Sequence, residues 1–123
     1  IDAANEKIFL MIIKNKNIYK ASHENSKTNF EKLVTLINDF LNFKGFKIED
    51  ISKLYVNRGP GSFAGIRNSL ATVKAIYVAK KINFYCFSFE DFDKKDDYNY
   101  ENVPNLCDKL KLKKNLINPD YIS

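Results

Sequence analysis

Four sets of residues in this 123-residue chain could carry chemistry: a glycine-rich run, one acidic residue near the start, one histidine and two cysteines. The run is Arg58-Gly59-Pro60-Gly61-Ser62-Phe63-Ala64-Gly65-Ile66-Arg67. Placed between a strand and a helix, such a loop presents backbone N–H groups that can hold an anion. Gly59 and Gly61 permit turns closed to other residues, and Pro60 stiffens the entry. Ser62 stands where its hydroxyl can cap the helix, and Arg67, one turn in, could add a positive charge for an anion or an acidic partner. The spacing is neither GxGxxG nor GxxxxGK followed by Ser or Thr, which favours a tight structural turn over a nucleotide loop.

The remaining candidates are weaker. Asp2 could coordinate a metal after a first strand, but a lone Asp is far more often structural or solvated. His23 is the single histidine and reads as a surface residue in a loop, so no histidine pair can bind a metal and no Ser-His-Asp or Cys-His set can be assembled. Cys86 and Cys107 form neither a CxxC pair nor a metal-ligand spacing, and Cys86 reads as a small buried hydrophobe. No catalytic residue, metal or cofactor is expected. Two isolated cysteines suit a reducing cytoplasm.

Composition sets the frame for these residues. Hydrophobic residues make up 45% and charged ones 28%, the balance of a folded domain. Twenty Lys and Arg against fifteen Asp and Glu give a net charge of +5. The lysines are spread along the chain with no arginine cluster, so the excess is weak evidence for nucleic acid and any such contact is expected to be weak or indirect. No apolar run approaches the roughly 20 residues of a membrane helix, and no membrane role is expected.

The elements that must position the glycine run follow from periodicity. Lys7 to Ile13 reads as a strand, Asn15-Lys16-Asn17 as a turn, and Ile18 to Ser22 as a second, antiparallel strand. From Thr28 to Phe43 the period becomes helical, with Ser26 or Thr28 as cap. Phe30, Leu33, Val34, Ile37 and Leu41 make its core face. Leu36, Phe40 and Phe43 widen that face into a second stripe, which suggests either a packing partner or a broad core contact. Gly45 closes the helix, and Ile51 to Val56 is a strand leading into the glycine run.

A second helix follows to about Lys81. Ile66, Leu70, Val73 and Tyr77 form its main stripe, and Ala71, Ala75 and Ala79 form a stripe of small residues that would let another helix approach closely. Asn83 to Phe89 is a strand, and Asp91 to Asp97 a charged connection. The last third has little periodicity, broken by Pro104 and Pro119. Ile1-Asp2 reads as the end of a strand already under way. This order predicts an α/β fold with a mixed sheet, antiparallel first strands and two main helices.

The run Gly59 to Arg67, continuing into Leu70-Ala71 and Lys74-Ala75, resembles the signature of the TsaB (YeaZ) family, usually written GPGSFTGIR, then LA and AKG. Ala64 replaces the usual Thr, and Ile76 the Gly that often follows Lys-Ala. Ile1-Asp2-Ala3-Ala4 is similar to the family's IDTS strand end, and Asn29 to Val34 to its HSE-x-LL helix start, with Asn29 in place of His. Asn118-Pro119-Asp120-Tyr121-Ile122 is similar to its EP-x-YL tail. The resemblance is good over residues 1–90 and weak over the tail.

The resemblance implies an RNase H-like lobe of the actin, heat-shock chaperone and sugar-kinase superfamily. It implies a non-catalytic subunit that pairs through its helices with the transferase TsaD, which modifies adenosine 37 of tRNA to threonylcarbamoyladenosine, with the ATPase TsaE as a further partner. The partner face would comprise Asn29, Leu36, Phe40, Phe43, Ala71, Ala75 and Ala79. Family members usually carry a second lobe, whereas only about thirty residues follow Glu90 here. The chain therefore reads as residues 1–90, the first lobe, and 91–123, a connection and tail left from the second. Two other readings stand beside this one: a homodimeric scaffold using the same helices, and a small nucleotide-binding enzyme using Asp2 and the glycine loop.

Overall fold

The computed structural model describes residues 1–93 and 99–121. The charged connection beyond Asp93 and Ile122 of the tail lie outside them. Alternation of apolar residues shapes the first hairpin. β1 (Lys7–Lys14) buries Ile8, Leu10 and Ile12 on one face and pairs antiparallel with β2 (Asn17–Glu24), Lys7 opposite Glu24 and Lys14 opposite Asn17. The two-residue loop between them places Asn15 at φ 57°, a conformation Asn adopts more readily than most residues.

The expected first helix is two. Ser26 Oγ accepts the Asn29 N–H at 3.2 Å and starts α1 (Lys27–Glu31); Lys32 breaks the run, and α2 (Leu33–Phe43) continues to a turn with Gly45 at φ 83°. After a short 3₁₀ turn at Ile48–Asp50, β3 (Lys53–Asn57) begins two residues later than Ile51, where a strand was expected. The glycine run then leads into α3 (Phe63–Lys80), which ends with Lys81 in the left-handed region. β4 (Asn83–Phe87) returns parallel to β3, Leu54 opposite Phe84 and Val56 opposite Cys86.

The last third departs most from expectation. It holds α4 (Val103–Leu110), and Pro104 sits in its first turn, where a missing N–H costs nothing. A proline expected to break structure instead opens a helix. Its short apolar face, Val103, Leu106 and Cys107, packs with Phe87 and Phe92. His23 is likewise placed differently, half-buried on β2 and not in a loop.

Side chains sort the elements into layers. Leu54, Val56, Phe84 and Cys86 join Ile66, Leu70, Val73 and Ile76 of α3 in one cluster. Ile8, Leu10 and Ile12 meet Phe30 of α1 and Leu33, Leu36, Ile37, Phe40 and Leu41 of α2 in a second. Tyr55 and Phe87, on the opposite sheet face, meet α4. The described strands form two two-stranded sheets, β1–β2 antiparallel and β3–β4 parallel, and not the single mixed sheet expected, while the α/β class with helices packed on strands is as expected. Among the described residues no helix is long and apolar enough to cross a membrane.

Both cysteines are free and buried. Burial pushes the Cys86 thiol up to about 11, and burial with the nearby Asp108 and Asp91 charges pushes Cys107 up to about 12. Since the thiolate is the nucleophile, both should be inert in the native protein at neutral pH. A thiol reagent such as dithiobis-nitrobenzoate is expected to titrate neither cysteine before denaturant is added and both afterwards.

Candidate functional site

The glycine run is held by three other parts of the chain. Asn57, the last residue of β3, is buried, and its Oδ1 accepts the Gly59 N–H at 2.9 Å. Arg58 donates its backbone N–H to the Phe87 carbonyl at 2.7 Å and accepts from the Asp120 N–H at 2.7 Å. Its guanidinium reaches Asp91, Nη2 to Oδ1 at 2.7 Å and Nε to Oδ2 at 3.4 Å, and touches the Asn118 carbonyl. The tail therefore lies along the loop, with Tyr121 bridging Gly61 in parallel sense and its ring tilted against Phe63, ring centres 4.7 Å apart. The Gly59–Pro60 peptide is cis.

The glycines serve this crowding. Gly59 has φ 116° and faces the Asp120 carbonyl; Gly61 faces the Ala4 carbonyl, and Gly65 the Ala3 carbonyl. A Cβ at any of them would collide with backbone, which cannot swing away as a side chain can. The Ser62 N–H donates to Ala4 O at 2.9 Å, and Ser62 Oγ accepts from Gly65 N–H at 3.3 Å, the cap expected of it. The cradle that could have held an anion is filled by the chain's own carbonyl groups, a tight structural turn. Arg67 is exposed and has no hydrogen-bond or ion-pair partner among the described residues.

Asp2, the candidate metal ligand, is 1% exposed. Its Oδ2 accepts from Asn57 Nδ2 at 2.9 Å and from the Tyr100 hydroxyl at 2.6 Å; its Oδ1 accepts the Ala4 N–H at 3.0 Å, and Asn5 Nδ2 lies at 3.4 Å from both oxygens. Every lone-pair direction has a donor within the protein, so this carboxylate ties the chain start to β3 and to the segment before α4. Burial pushes the ionisation of the Tyr100 hydroxyl up, and its hydrogen bond to the charged Asp2 adds to the shift. No group of three or more His, Cys, Asp or Glu able to hold a metal occurs among the described residues.

The predicted partner residues divide. Leu36 and Phe40 are each 9% exposed and belong to the α2 core cluster. This corrects the expectation of a surface stripe: α2 packs on β1 with one side and on α1 and α3 with the other, so its apolar arc is wide for reasons of core alone. Asn29 is half-buried and donates its Nδ2 to the Glu24 carbonyl at 2.8 Å, closing the turn from β2 into α1. Phe43 is 83% exposed, and Ala71, Ala75 and Ala79 are all exposed along the outer side of α3. Val78, 60% exposed, also faces outward and was not singled out from the sequence, and Val34, expected on the core face of the helix, is 45% exposed instead. Asn57, Tyr100, Asp91 and the loop's own Arg58 organise the site and were also missed, because no local spacing marks partners up to 98 residues apart.

The α/β layers thus combine a backbone-filled glycine turn with an exposed small-residue helix face. Over residues 20–88 the chain matches the family described as TsaD: tRNA N6-adenosine threonylcarbamoyltransferase. The chain belongs to that family. Among solved structures it is similar to YeaZ from Pseudomonas aeruginosa, with TM-score 0.64 and 18% identity over 71% of this chain and 41% of that one. It is similar to the same extent, over 40% of that chain, to an uncharacterised protein described as having similarity to the peptidase YeaZ from Pseudomonas aeruginosa. The YeaZ-like fold expected from the glycine motif is the fold found, and the chain spans about two-fifths of the length of these neighbours. No curated protein matches the chain significantly.

Two outcomes test the site as a structural device. Tyr100→Phe removes one donor from a buried carboxylate and should lower the unfolding free energy by about 1–3 kcal/mol, read from urea titration. Gly65→Ala drives a methyl into the Ala3 carbonyl and should cost more than the same change at Gly45, whose surroundings are open and whose only penalty is its positive φ, about 1 kcal/mol.

Proposed function

We propose that this protein is a non-catalytic partner subunit that pairs with a TsaD-type transferase in threonylcarbamoyladenosine synthesis on tRNA, in the cytoplasm. We read its fold as an RNase H-like lobe over residues 1–90, with residues 91–123 the shortened remainder of a second lobe. The observation that carries this reading is the outer side of α3, where Ala71, Ala75, Val78 and Ala79 are exposed. Small residues four apart leave a shallow groove that a partner helix can enter at close range. Phe43 and Val34 extend the apolar surface onto α2. Leu36 and Phe40, being core, drop out of the proposed face.

Membership of the transferase family and the YeaZ-like fold support the role in this modification. The enzyme reading is disfavoured by the site itself: Asp2 is saturated by protein donors and the glycine cradle is filled by backbone. Contact with tRNA would then run through the partner, and a TsaE-type ATPase would join the assembly through it. The same exposed face would serve a homodimer, which is the second reading.

Size-exclusion chromatography with light scattering, on the protein alone and with a TsaD-type subunit, tests the proposal. A one-to-one complex is expected, lost in Ala75→Glu and weakened in Phe43→Glu, both of which should keep their circular dichroism and melting temperature. Leu36→Glu should instead unfold the protein, since it buries a charge in the core. A homodimer that ignores TsaD would establish the second reading, and a complex indifferent to Ala75→Glu would remove the α3 face from it.

A further inference from the structure

The turn of the β1–β2 hairpin lies beside the turn that ends α2, and together they gather rings and lysines that stand apart in the sequence. The residues of β1 that face the helices are Ile8, Leu10 and Ile12, and Lys14 continues that face. Tyr19, opposite Ile12, shares it. Tyr19 and Phe46 meet edge to face, ring centres 5.7 Å apart, on the rim of the core cluster beneath α2. A lysine stands over each ring. Lys14 Nζ lies 5.1 Å from the Phe46 ring centre, and Lys44 Nζ lies 5.8 Å from that of Tyr19 and 5.1 Å from that of Phe43. Lys14, Phe43 and Lys44 are exposed, while Tyr19 and Phe46 are half-buried.

Charge here is of one sign. Residues 13–20 and 40–48 contain five lysines and no Asp or Glu. Lys20, opposite Met11, points to the other hairpin face and pairs with Glu101. Lys14, Lys16, Lys44 and Lys47 have no ion-pair partner among the described residues. Of the flanking acids, Glu49 pairs with Lys80 and Asp50 accepts the Lys47 backbone N–H, which leaves Asp39, one turn before Phe43 on α2. Lysines alone would serve any polyanion, and rings alone any apolar partner. The two side by side suit unpaired nucleotides, whose bases stack while their phosphates seek cations. A base on a ring contributes about twice or more what a cation over an exposed ring does, so it would take the ring face and release the ammonium to a phosphate. A duplex keeps its base faces hidden. A membrane would call for apolar side chains projecting together, whereas Tyr19 and Phe46 are anchored on the core and only Phe43 projects.

We infer that this surface binds unpaired nucleotides of RNA, with Tyr19, Phe43 and Phe46 offering ring faces to bases and Lys14 and Lys44 meeting phosphates. The stacking and the charge pairing follow from the local geometry; the choice of RNA rests on the proposed role in tRNA modification. The surface adds a direct contact to the one routed through the partner subunit. Phe43 borders both this surface and the proposed partner face, so the decisive variants are placed at Lys14, Tyr19 and Lys44.

Fluorescence anisotropy of a labelled oligouridine of about eight nucleotides, titrated with the chain at several salt concentrations, tests this. The logarithm of affinity should fall with that of salt by about 0.7 per phosphate neutralised, and Lys14→Gln with Lys44→Gln should flatten that slope by about 1.4. Tyr19→Leu keeps an apolar side chain on the core but removes the ring; it should weaken binding about tenfold with the slope unmoved, and Tyr19→Phe should retain it. An RNA duplex of equal charge should bind more weakly. A slope unmoved by the lysine pair, affinity indifferent to Tyr19→Leu in a chain that keeps its circular dichroism, or a duplex held as tightly would each overturn the inference. A DNA octamer bound more tightly than the RNA would overturn the choice of RNA, and binding to phosphatidylserine vesicles in its place would make the surface a lipid contact and overturn it too. The lysine variants should still pair with a TsaD-type subunit, and Ala75→Glu should still bind the oligouridine, so the two proposals fail separately.

Discussion

The carbonyl oxygens of Ala3, Ala4 and Asp120 lie where the side chains of Gly65, Gly61 and Gly59 would be. That threefold exclusion of a Cβ fixes much of the molecule. It lets the start of the chain and its tail cross the strand-to-helix turn in backbone contact, and it lets α3 begin directly against the chain start. Hydrogen bonds then exploit the closeness: Ser62 N–H to Ala4 O, Asp120 N–H to Arg58 O, Gly59 N–H to Asn57 Oδ1. A loop that could have offered its N–H groups to an anion uses its glycines to hold protein backbone, the tight structural turn that its spacing favoured. The same property, an exposed N–H beside an absent side chain, serves either end; the occupant decides which.

Asp2 is the second point on which distant parts converge. A buried carboxylate is costly unless donors surround it, and here they come from Ala4, Asn5, Asn57 and Tyr100, so the chain start, the end of β3 and the segment before α4 must all be in place together. Tyr100 contributes twice, by its hydroxyl to Asp2 and by its ring on Phe9 at 4.5 Å. The arrangement gives the far third of the chain a fixed place on a sheet it does not extend. Asn115, whose side chain accepts from Phe84 N–H and donates to Asn83, does the same at the outer edge of β4. An edge covered in this way offers fewer groups for unwanted pairing.

Local chemistry in the sequence was legible and long-range chemistry was not. The hairpin, the Ser26 and Ser62 caps, the Gly45 stop and the strand-loop-helix around the glycine run were readable because each depends on residues within one or two turns. The glycines announced a constraint without naming it, since nothing near Gly61 in sequence says that Ala4 will lie against it. The wide stripe of α2 left a packing partner and a broad core contact both open. Periodicity gives the direction of an apolar arc but not whether one or two neighbours cover it, and Leu36 and Phe40 proved to face neighbours within the chain. α4 escaped notice because eight residues offer two turns of pattern and its Pro104 was weighed as a breaker, although the first turn of a helix tolerates proline.

The division of α3 into two faces would suit the proposed subunit surface. Ile66, Leu70, Val73 and Ile76 spend its apolar side on the sheet, and this core contact holds the helix whether or not a partner is present. The opposite side carries alanines and one valine among Arg67, Lys74 and Lys80. A helix with no partner to meet gains more from long polar residues there, which pair along the surface and keep it wet. Alanine forgoes those pairs and gives close approach in return, with little side-chain entropy to lose on contact. Lys80 is paired with Glu49 at 3.0 Å, whereas Lys74 and Arg67, without an ion-pair partner among the described residues, leave positive charge beside a nearly flat apolar strip. A matching helix would therefore carry small or apolar residues at its centre and acidic ones at its margin, and the charges would act on the rate and orientation of encounter more than on the depth of binding.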